Sequence, residues 1–314
     1  MPQTMNCFVM HGIGKVGLIE KPIPRPGPMD AIVRTTAALI CTSDTHTVAG
    51  AIGDRQGLTL GHEAVGVIHE LGELAASSGL FHVGQRVAVS AITPCYACDN
   101  CQRGYSSQCG GLLGGWKFAN VKDGSFAEYF HVNNAVANLA PIPDGLSDEQ
   151  AAYCCDMLST GFVAAEFANI PIGGSVAIVD FTKEDPVEAI LKLTGGKGVD
   201  SAIEALGSSE TFAACVSVTR PGGTISNVGY HGDGDSVPIP REAWGVGMSD
   251  KTIRTALCPG GSERMSRLLR LIETGRVDPR ALTTHRFAFK DIEKAFRMMQ
   301  TKEDGMIKPL ISFA

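Results

Sequence analysis

Four cysteines within one short stretch constrain this chain more than anything else in it: Cys95, Cys98, Cys101 and Cys109, in the form C-x2-C-x2-C-x7-C. Pro94, Asp99, Asn100, Gly104 and Gly110 stand around them, residue types that let a backbone turn tightly. Four thiolates spaced this way can close around one tetrahedral ion. An all-sulfur shell leaves no coordination position for chemistry, so a zinc held there is structural. Four reduced surface thiols and an iron–sulfur cluster are the alternatives that the spacing leaves open. Segment 94–110 therefore reads as a loop pinned by a metal rather than by apolar surface of its own.

The other six cysteines are scattered. A chain of 314 residues with 44% apolar and 19% charged content can build a sizeable core, most simply as two domains, without disulfide staples. A formal charge of −6 offers no basic stripe for phosphate backbones, so no nucleic acid and no anionic membrane is expected as a partner. No apolar run approaches the roughly eighteen residues that a membrane span needs, and the opening MPQTMNCFVMHGIGK has no secretory pattern. The expectation is a cytoplasmic protein that acts on a small molecule.

Short β-rich runs punctuated by glycine and proline fill the first 150 residues: 7–10, 18–20, 31–36, 64–70, 86–90 and 127–132. Helical spacing begins at Asp148 and runs to Glu166. Strands and helices then alternate: strand 175–181, helix 186–193, strand 200–205, helix 209–219, strand 223–229 and strand 252–257. Helices at 262–274 and 291–300 follow, and a closing strand at 306–313 is expected to return to the first domain.

Three further places carry candidate metal ligands: Cys41 in CTSDTH, His62 and Glu63 in GHEAVG, and Asp156 after Cys154 and Cys155. Singly, a cysteine is more often core packing and a histidine more often a satisfied polar group. Together with the cysteine lobe, GGWKFANVKDGSFAEYFHVN and DMLSTGF, they stand in the order found in medium-chain zinc alcohol dehydrogenases. The chain resembles that family over nearly its whole length. It resembles most of all the microbial secondary-alcohol branch, in which aspartate replaces the usual third cysteine ligand.

That resemblance implies an α/β protein. Its β-rich, GroES-like catalytic domain would comprise residues 1–155 and 285–314, with a Rossmann-like parallel-sheet domain at 156–284. It implies a catalytic zinc held by Cys41, His62 and Asp156, with Glu63 as an occasional fourth ligand. Three protein ligands leave one position for water or an alcohol oxygen, whose pKa the metal lowers. Ser43 would pass the proton outward and His46 carry it next, although turn chemistry around Asp44 would account for both residues as well. Trp116 resembles the family's substrate-pocket aromatic, and a core tryptophan would look the same. Strand 252–257 would pair across a two-fold axis in a homodimer or homotetramer.

The family's hydride acceptor is a nicotinamide dinucleotide, NADP(H) in the secondary-alcohol branch with NAD(H) possible, cradled where a strand enters a helix through a glycine turn. The chain's G-x-G-x-x-G, at Gly12, Gly14 and Gly17, is a decoy. A short strand follows it, and Pro22, Pro24, Pro26 and Pro28 leave no room for a helix whose N-terminus could meet phosphate. The motif belongs after GGSVAI at 173–178, where the sequence runs directly into Val179-Asp180-Phe181-Thr182-Lys183. That stretch resembles the end of the family's third strand, so about forty residues, the first βαβ unit of the domain, are missing.

Thr160, Ala205, Gly207, Asn227, Tyr230 and Lys308 are the coenzyme-side residues that the resemblance still supplies. Three explanations stand open: a chain that truly lacks the segment, a sequence closed up over it, or a shortened protein that has given up redox chemistry. A closed-up sequence would show a backbone break between Ser175 and Asp180. The expected activity is interconversion of small alcohols with ketones or aldehydes. The alternative is a zinc protein without hydride transfer, either a hydrolase or lyase or a degenerate partner subunit.

Overall fold

The computed structural model describes residues 4–313 apart from Gly173, Ser175, Ala177, Phe181 and Asp233. Its strands, in chain order, are β1 (Thr4–Gly12), β2 (Lys15–Pro22), β3 (Ala31–Leu39), β4 (Leu58–Thr59), β5 (Glu63–Leu71), β6 (Arg86–Val89), β7 (Tyr129–Val132), β8 (Leu139–Pro141), β9 (Val199–Glu204), β10 (Thr219–Asn227), β11 (Thr252–Thr255), β12 (Thr283–Ala288) and β13 (Lys308–Ser312). Two compact units result. One holds the residues up to Ser159 and those from Cys258 onward, and the other holds Thr160–Leu257.

The first unit is β-rich, as expected. One sheet has the order β2-β1-β4, and a seven-stranded sheet runs β12-β13-β3-β5-β6-β8 with β7 also paired to β3. β3 is the hub: antiparallel to β5 along its whole length, it also binds β7 and β13. Its apolar residues do not alternate with polar ones because both of its faces are buried. Gly66 of β5 lies so close to β3 that a Cβ there would sit 2.1 Å from the Arg34 carbonyl oxygen, which is why this strand interior carries a glycine. The core gathers Phe8, Met10, Phe126 and Phe130 with Phe296 and Met299 of the helix Ile292–Thr301. The Phe8 ring stands 6.4 Å from Phe126 and 5.4 Å from Phe296.

The glycine decoy is a hairpin. β1 and β2 pair antiparallel from Thr4↔Pro22 to Gly12↔Lys15, and Gly14 takes the left-handed φ of 74° that such a tight turn favours. The closing strand β13 returns to the first unit, where it pairs with β3 and with β12, a strand that the sequence pattern had not marked.

The second unit holds a three-stranded parallel sheet, β11-β10-β9. Helix Ser209–Val218 packs Phe212 and Val216 against Ile225 of β10, with Ile253 of β11 and Trp244 beside them. Helix Pro186–Leu193 forms where expected, with Asp185 as its cap accepting a hydrogen bond from the Glu188 amide at 2.9 Å and with Pro186 in the first turn.

Three expectations change. The helical stretch 148–166 is two helices, Asp148–Ala152 and Met157–Ala168, with Tyr153–Asp156 as a turn between them. Of the strand expected at 175–181, Ser175, Ala177 and Phe181 lie outside the described residues, while Val176 and Ile178–Asp180 are not in a strand. Val176 and Ile178 are largely exposed, which is how apolar strand residues sit when no sheet neighbour covers them. Finally, the second unit ends at Leu257 rather than at 284. Helix Ser262–Glu273 buries Met265, Leu268, Leu269 and Ile272, and packs on β6, β8 and the helix Ala135–Asn138 of the first unit.

Candidate metal centres

Cys41, His62, Glu63 and Asp156 converge: one ligand atom from each lies within 4.8 Å of the others. Local structure explains the convergence. Cys41 precedes the helix Thr42–Val48, and Glu63 opens β5 immediately after His62. Asp156 lies in the turn between the two helices, which is tied to the sheet where the Ala91 amide donates to the Cys155 carbonyl and the Cys155 thiol to the Ala64 carbonyl. Cys154 and Cys155 are fully buried, and burial pushes the Cys154 thiol up to about 12, so both read as packing rather than as ligands.

Asp44 is the site residue that the sequence reading missed. Buried in the first turn of helix Thr42–Val48, it accepts the Cys41 amide on Oδ2 at 2.9 Å and His62 Nδ1 on Oδ1 at 3.0 Å. The second bond fixes the ring so that Nε2 faces the cluster, 3.3 Å from Asp156 Oδ2. Burial opposes a charge on His62, but Asp44 and then Asp156 and Cys41 outweigh it and raise its pKa well above the usual value. Ser43, exposed on the same helix, places its hydroxyl 3.2 Å from His62 Nε2. His46 follows at i+3 on that helix and is also exposed. Trp116, on the single turn Gly115–Lys117, is 40% exposed.

Lys308, expected on the coenzyme side, stands beside the metal cluster. It is buried in the first unit and donates to Glu63 Oε1 at 2.8 Å. Burial alone would neutralise the amine, but Glu63, Cys41 and Asp156 around it raise its pKa. The other oxygen of this pair, Glu63 Oε2, is buried and has no hydrogen-bond partner among the described residues. An orphaned buried carboxylate oxygen beside a thiol, an imidazole and a second carboxylate is what a divalent cation fits.

The lobe cysteines also come together, their sulfurs all within 4.8 Å. Backbone amides point at them: Cys95 N at Cys109 Sγ (3.2 Å), Cys98 N at Cys95 Sγ (3.4 Å) and Gly110 N at Cys98 Sγ (3.2 Å). Donors of this kind favour thiolate over thiol, and the amides of Cys101 and then Gly110 bring Cys98 down to about 6. Glycine is required beside them, because a Cβ on Gly114 would lie 2.5 Å from Cys109 Sγ. This donor set fits a structural zinc.

Thr160, Ala205, Gly207, Asn227 and Tyr230 fall in the second unit. Ala205 and Gly207 follow the carboxyl end of β9, and Asn227 ends β10. The two loops there are locked to each other by Glu204. Its side chain is fully buried, and its Oε1 accepts the amides of Leu206 (2.9 Å) and Gly207 (2.7 Å) and the Thr211 hydroxyl (2.8 Å). Its Oε2 lies 3.5 Å from His231 Nε2, which meets Asn227 Oδ1 at 2.8 Å.

Comparison with known proteins agrees with this geometry. The model of the alcohol dehydrogenase GroES-like domain matches residues 27–144, and that of the zinc-binding dehydrogenases matches 150–274. The NADP-dependent isopropanol dehydrogenase of Thermoanaerobacter brockii is 45% identical over 99% of this chain and 100% of its own length. That of Clostridium beijerinckii is 41% identical over 98% and 99%. The alcohol dehydrogenase TADH from Thermus sp. ATN1 superimposes with a TM-score of 0.84 at 25% identity, covering 99% of this chain and 100% of its own. The alignment to the T. brockii enzyme runs over 355 positions, 41 more than the 314 residues here, so at least that many positions of the relative have no counterpart in this chain.

Proposed function

We propose, on the premise that this chain belongs to the zinc-binding, GroES-like alcohol dehydrogenases, that it interconverts small secondary alcohols and ketones with a nicotinamide hydride carrier. The observation that carries the reading is the convergence of Cys41, His62, Glu63 and Asp156 with the Ser43 hydroxyl beside them. Zinc in that cluster supplies Lewis acidity toward an alcohol oxygen. Cys41, His62 and Asp156 hold it, and Glu63, whose charge Lys308 already balances, stands behind. The relatives' names suggest NADP(H) as the carrier.

The chain's own part in the reaction is the proton. Oxidation takes a hydride from the carbinol carbon and a proton from the hydroxyl. Ser43 accepts that proton next to His62 and passes it to His46, one turn further along the same exposed helix face. Trp116 is the aromatic wall offered to the substrate's alkyl groups. Cys95, Cys98, Cys101 and Cys109 hold a second zinc that shapes the lobe and takes no part in the chemistry.

We read the protein as cytoplasmic and homo-oligomeric. No helix of the described residues is long and apolar enough to cross a membrane, and β11 has an edge unpaired among those residues. A zinc protein without hydride transfer is the weaker reading, since the relatives that match the whole chain are named as dehydrogenases.

The test measures bound zinc and 2-propanol oxidation in the wild type and in Asp156→Ala. Two zinc ions per chain with activity are expected, falling to one without activity in the variant. Full activity of Asp156→Ala would sink the assignment.

A further inference from the structure

A tryptophan in a core is closed to solvent, whereas Trp116 is 40% exposed, so its ring is available to a bound molecule. The single turn Gly115–Lys117 that carries it is anchored on both sides. On the N-terminal side the anchor is backbone, since Gly115 and Thr93 exchange hydrogen bonds at 3.1 and 3.4 Å. On the C-terminal side it is a side chain. Asn120 donates its amide to the Trp116 carbonyl at 2.8 Å and to the Phe118 carbonyl at 3.3 Å, and its Oδ1 accepts the Thr47 hydroxyl at 3.2 Å. Two carbonyls can only accept, so this network fixes which end of the amide faces the turn.

Thr47 is the link to the metal site. It is buried in helix Thr42–Val48, four residues beyond Ser43, so the two are neighbours on the helix surface one turn apart. Ser43 in turn meets His62 at 3.2 Å. Further along, the amides of Gly124, Ser125 and Phe126 donate to the carbonyls of Thr59, Gly61 and Leu60, the residues that lead into His62. Segment 115–126 is thus fastened both to the helix after Cys41 and to the approach to His62.

Between these fastenings the backbone is bent against its preference. The Lys117 carbonyl receives the amides of Asn120, Val121 and Lys122, and Ala119 is buried at a φ of 59°, a left-handed conformation that is costly for alanine. The Asn120 amide, which takes two carbonyls of this turn, holds it in place.

Resting on the hydride-transfer reading above, we propose that Asn120 is a positioning residue for substrate size. It pins Trp116 to the helix that carries Ser43, and so fixes how long an alkyl group the site admits.

The test compares 2-propanol and 2-octanol as substrates of the zinc-loaded full chain. In Asn120→Ala the ratio of kcat/KM for 2-octanol to that for 2-propanol is expected to rise about fivefold or more, with the change in KM exceeding that in kcat. Thr47→Val, which removes the hydroxyl from the other end of the link, should shift the ratio the same way, and Thr47→Ser should restore it. The double variant Thr47→Val/Asn120→Ala should show no more than the larger single effect. Trp244→Phe leaves Trp116 as the one tryptophan of the chain, and in that background acrylamide quenching of its fluorescence should increase when Asn120 is replaced. Should Asn120→Ala fail to fold, Thr47→Val carries the same comparison. A ratio within about twofold of the wild type in these variants would overturn the proposal and leave the dehydrogenase reading intact. If the wild type oxidises neither alcohol, both fall together.

Discussion

Asp44 shows how much of a metal site can rest on a residue that never touches the metal. One carboxylate oxygen accepts the Cys41 amide at the start of its helix, the other orients His62, and so two of the converging side chains are aligned by one buried group. Asp44→Ala leaves the His62 ring free to rotate, and zinc affinity at this site should fall by roughly 10- to 100-fold, measured by competition with a chromophoric chelator. Affinity unchanged within twofold would show that the pairing is incidental. Without metal, His62 has a pKa raised well above the usual imidazole value, so near neutral pH zinc displaces a proton from it. Calorimetry in buffers of different ionisation enthalpy should therefore report net proton release on zinc binding, with affinity weakening as pH falls. The four converging ligands were legible from their motifs, but Asp44 was not: inside CTSDTH it reads as ordinary turn chemistry, and only the fold shows it reaching 18 residues along the chain to a histidine. The pairing of Lys308 with Glu63 was hidden for a related reason, because the two lie 245 residues apart in sequence.

At the scale of elements, legibility followed the strength of the local pattern. Helix Pro186–Leu193, with its Asp185 cap and its proline, and helix Ser262–Glu273, with its apolar stripe, stand close to where the spacing put them. Helix Thr42–Val48 was invisible, because TSDTHTV has one large apolar residue and no stripe, and it exists through capping and tertiary context. The strand expected from GGSVAIVDF did not form among its described residues: a run of β-formers makes no strand without a neighbour to pair with. In the lobe, structure depends on glycines as well as sulfurs. Gly114→Ala forces a methyl group against Cys109 Sγ, and bound zinc should drop from two ions per chain to one, by mass spectrometry under native conditions. Retention of both ions would show that the loop can yield.

At the scale of the whole chain, the first unit is held together across distant parts of the sequence. Phe296, near the C-terminal end, packs on Phe8, near the N-terminal end, in a core fully closed to solvent. Phe296→Ala removes a large buried ring and should cost about 3–5 kcal/mol in urea unfolding of the zinc-loaded protein. A loss under about 1 kcal/mol would mean that the core collapses around the gap. Division into a β-rich unit and a parallel-sheet unit followed from texture alone, but the second boundary did not, since helix Ser262–Glu273 has the pattern of either.

The Lys308 to Glu63 pair has a consequence for how the protein is made. Glu63 emerges from the ribosome long before β13 can enter the sheet beside it, so a partly synthesised chain carries two carboxylates, a thiol and an imidazole with no lysine to balance them. The buried ammonium reaches Glu63 only once β13 has paired with β3, so the charge balance behind the metal cluster depends on a contact between residues 245 apart in the sequence.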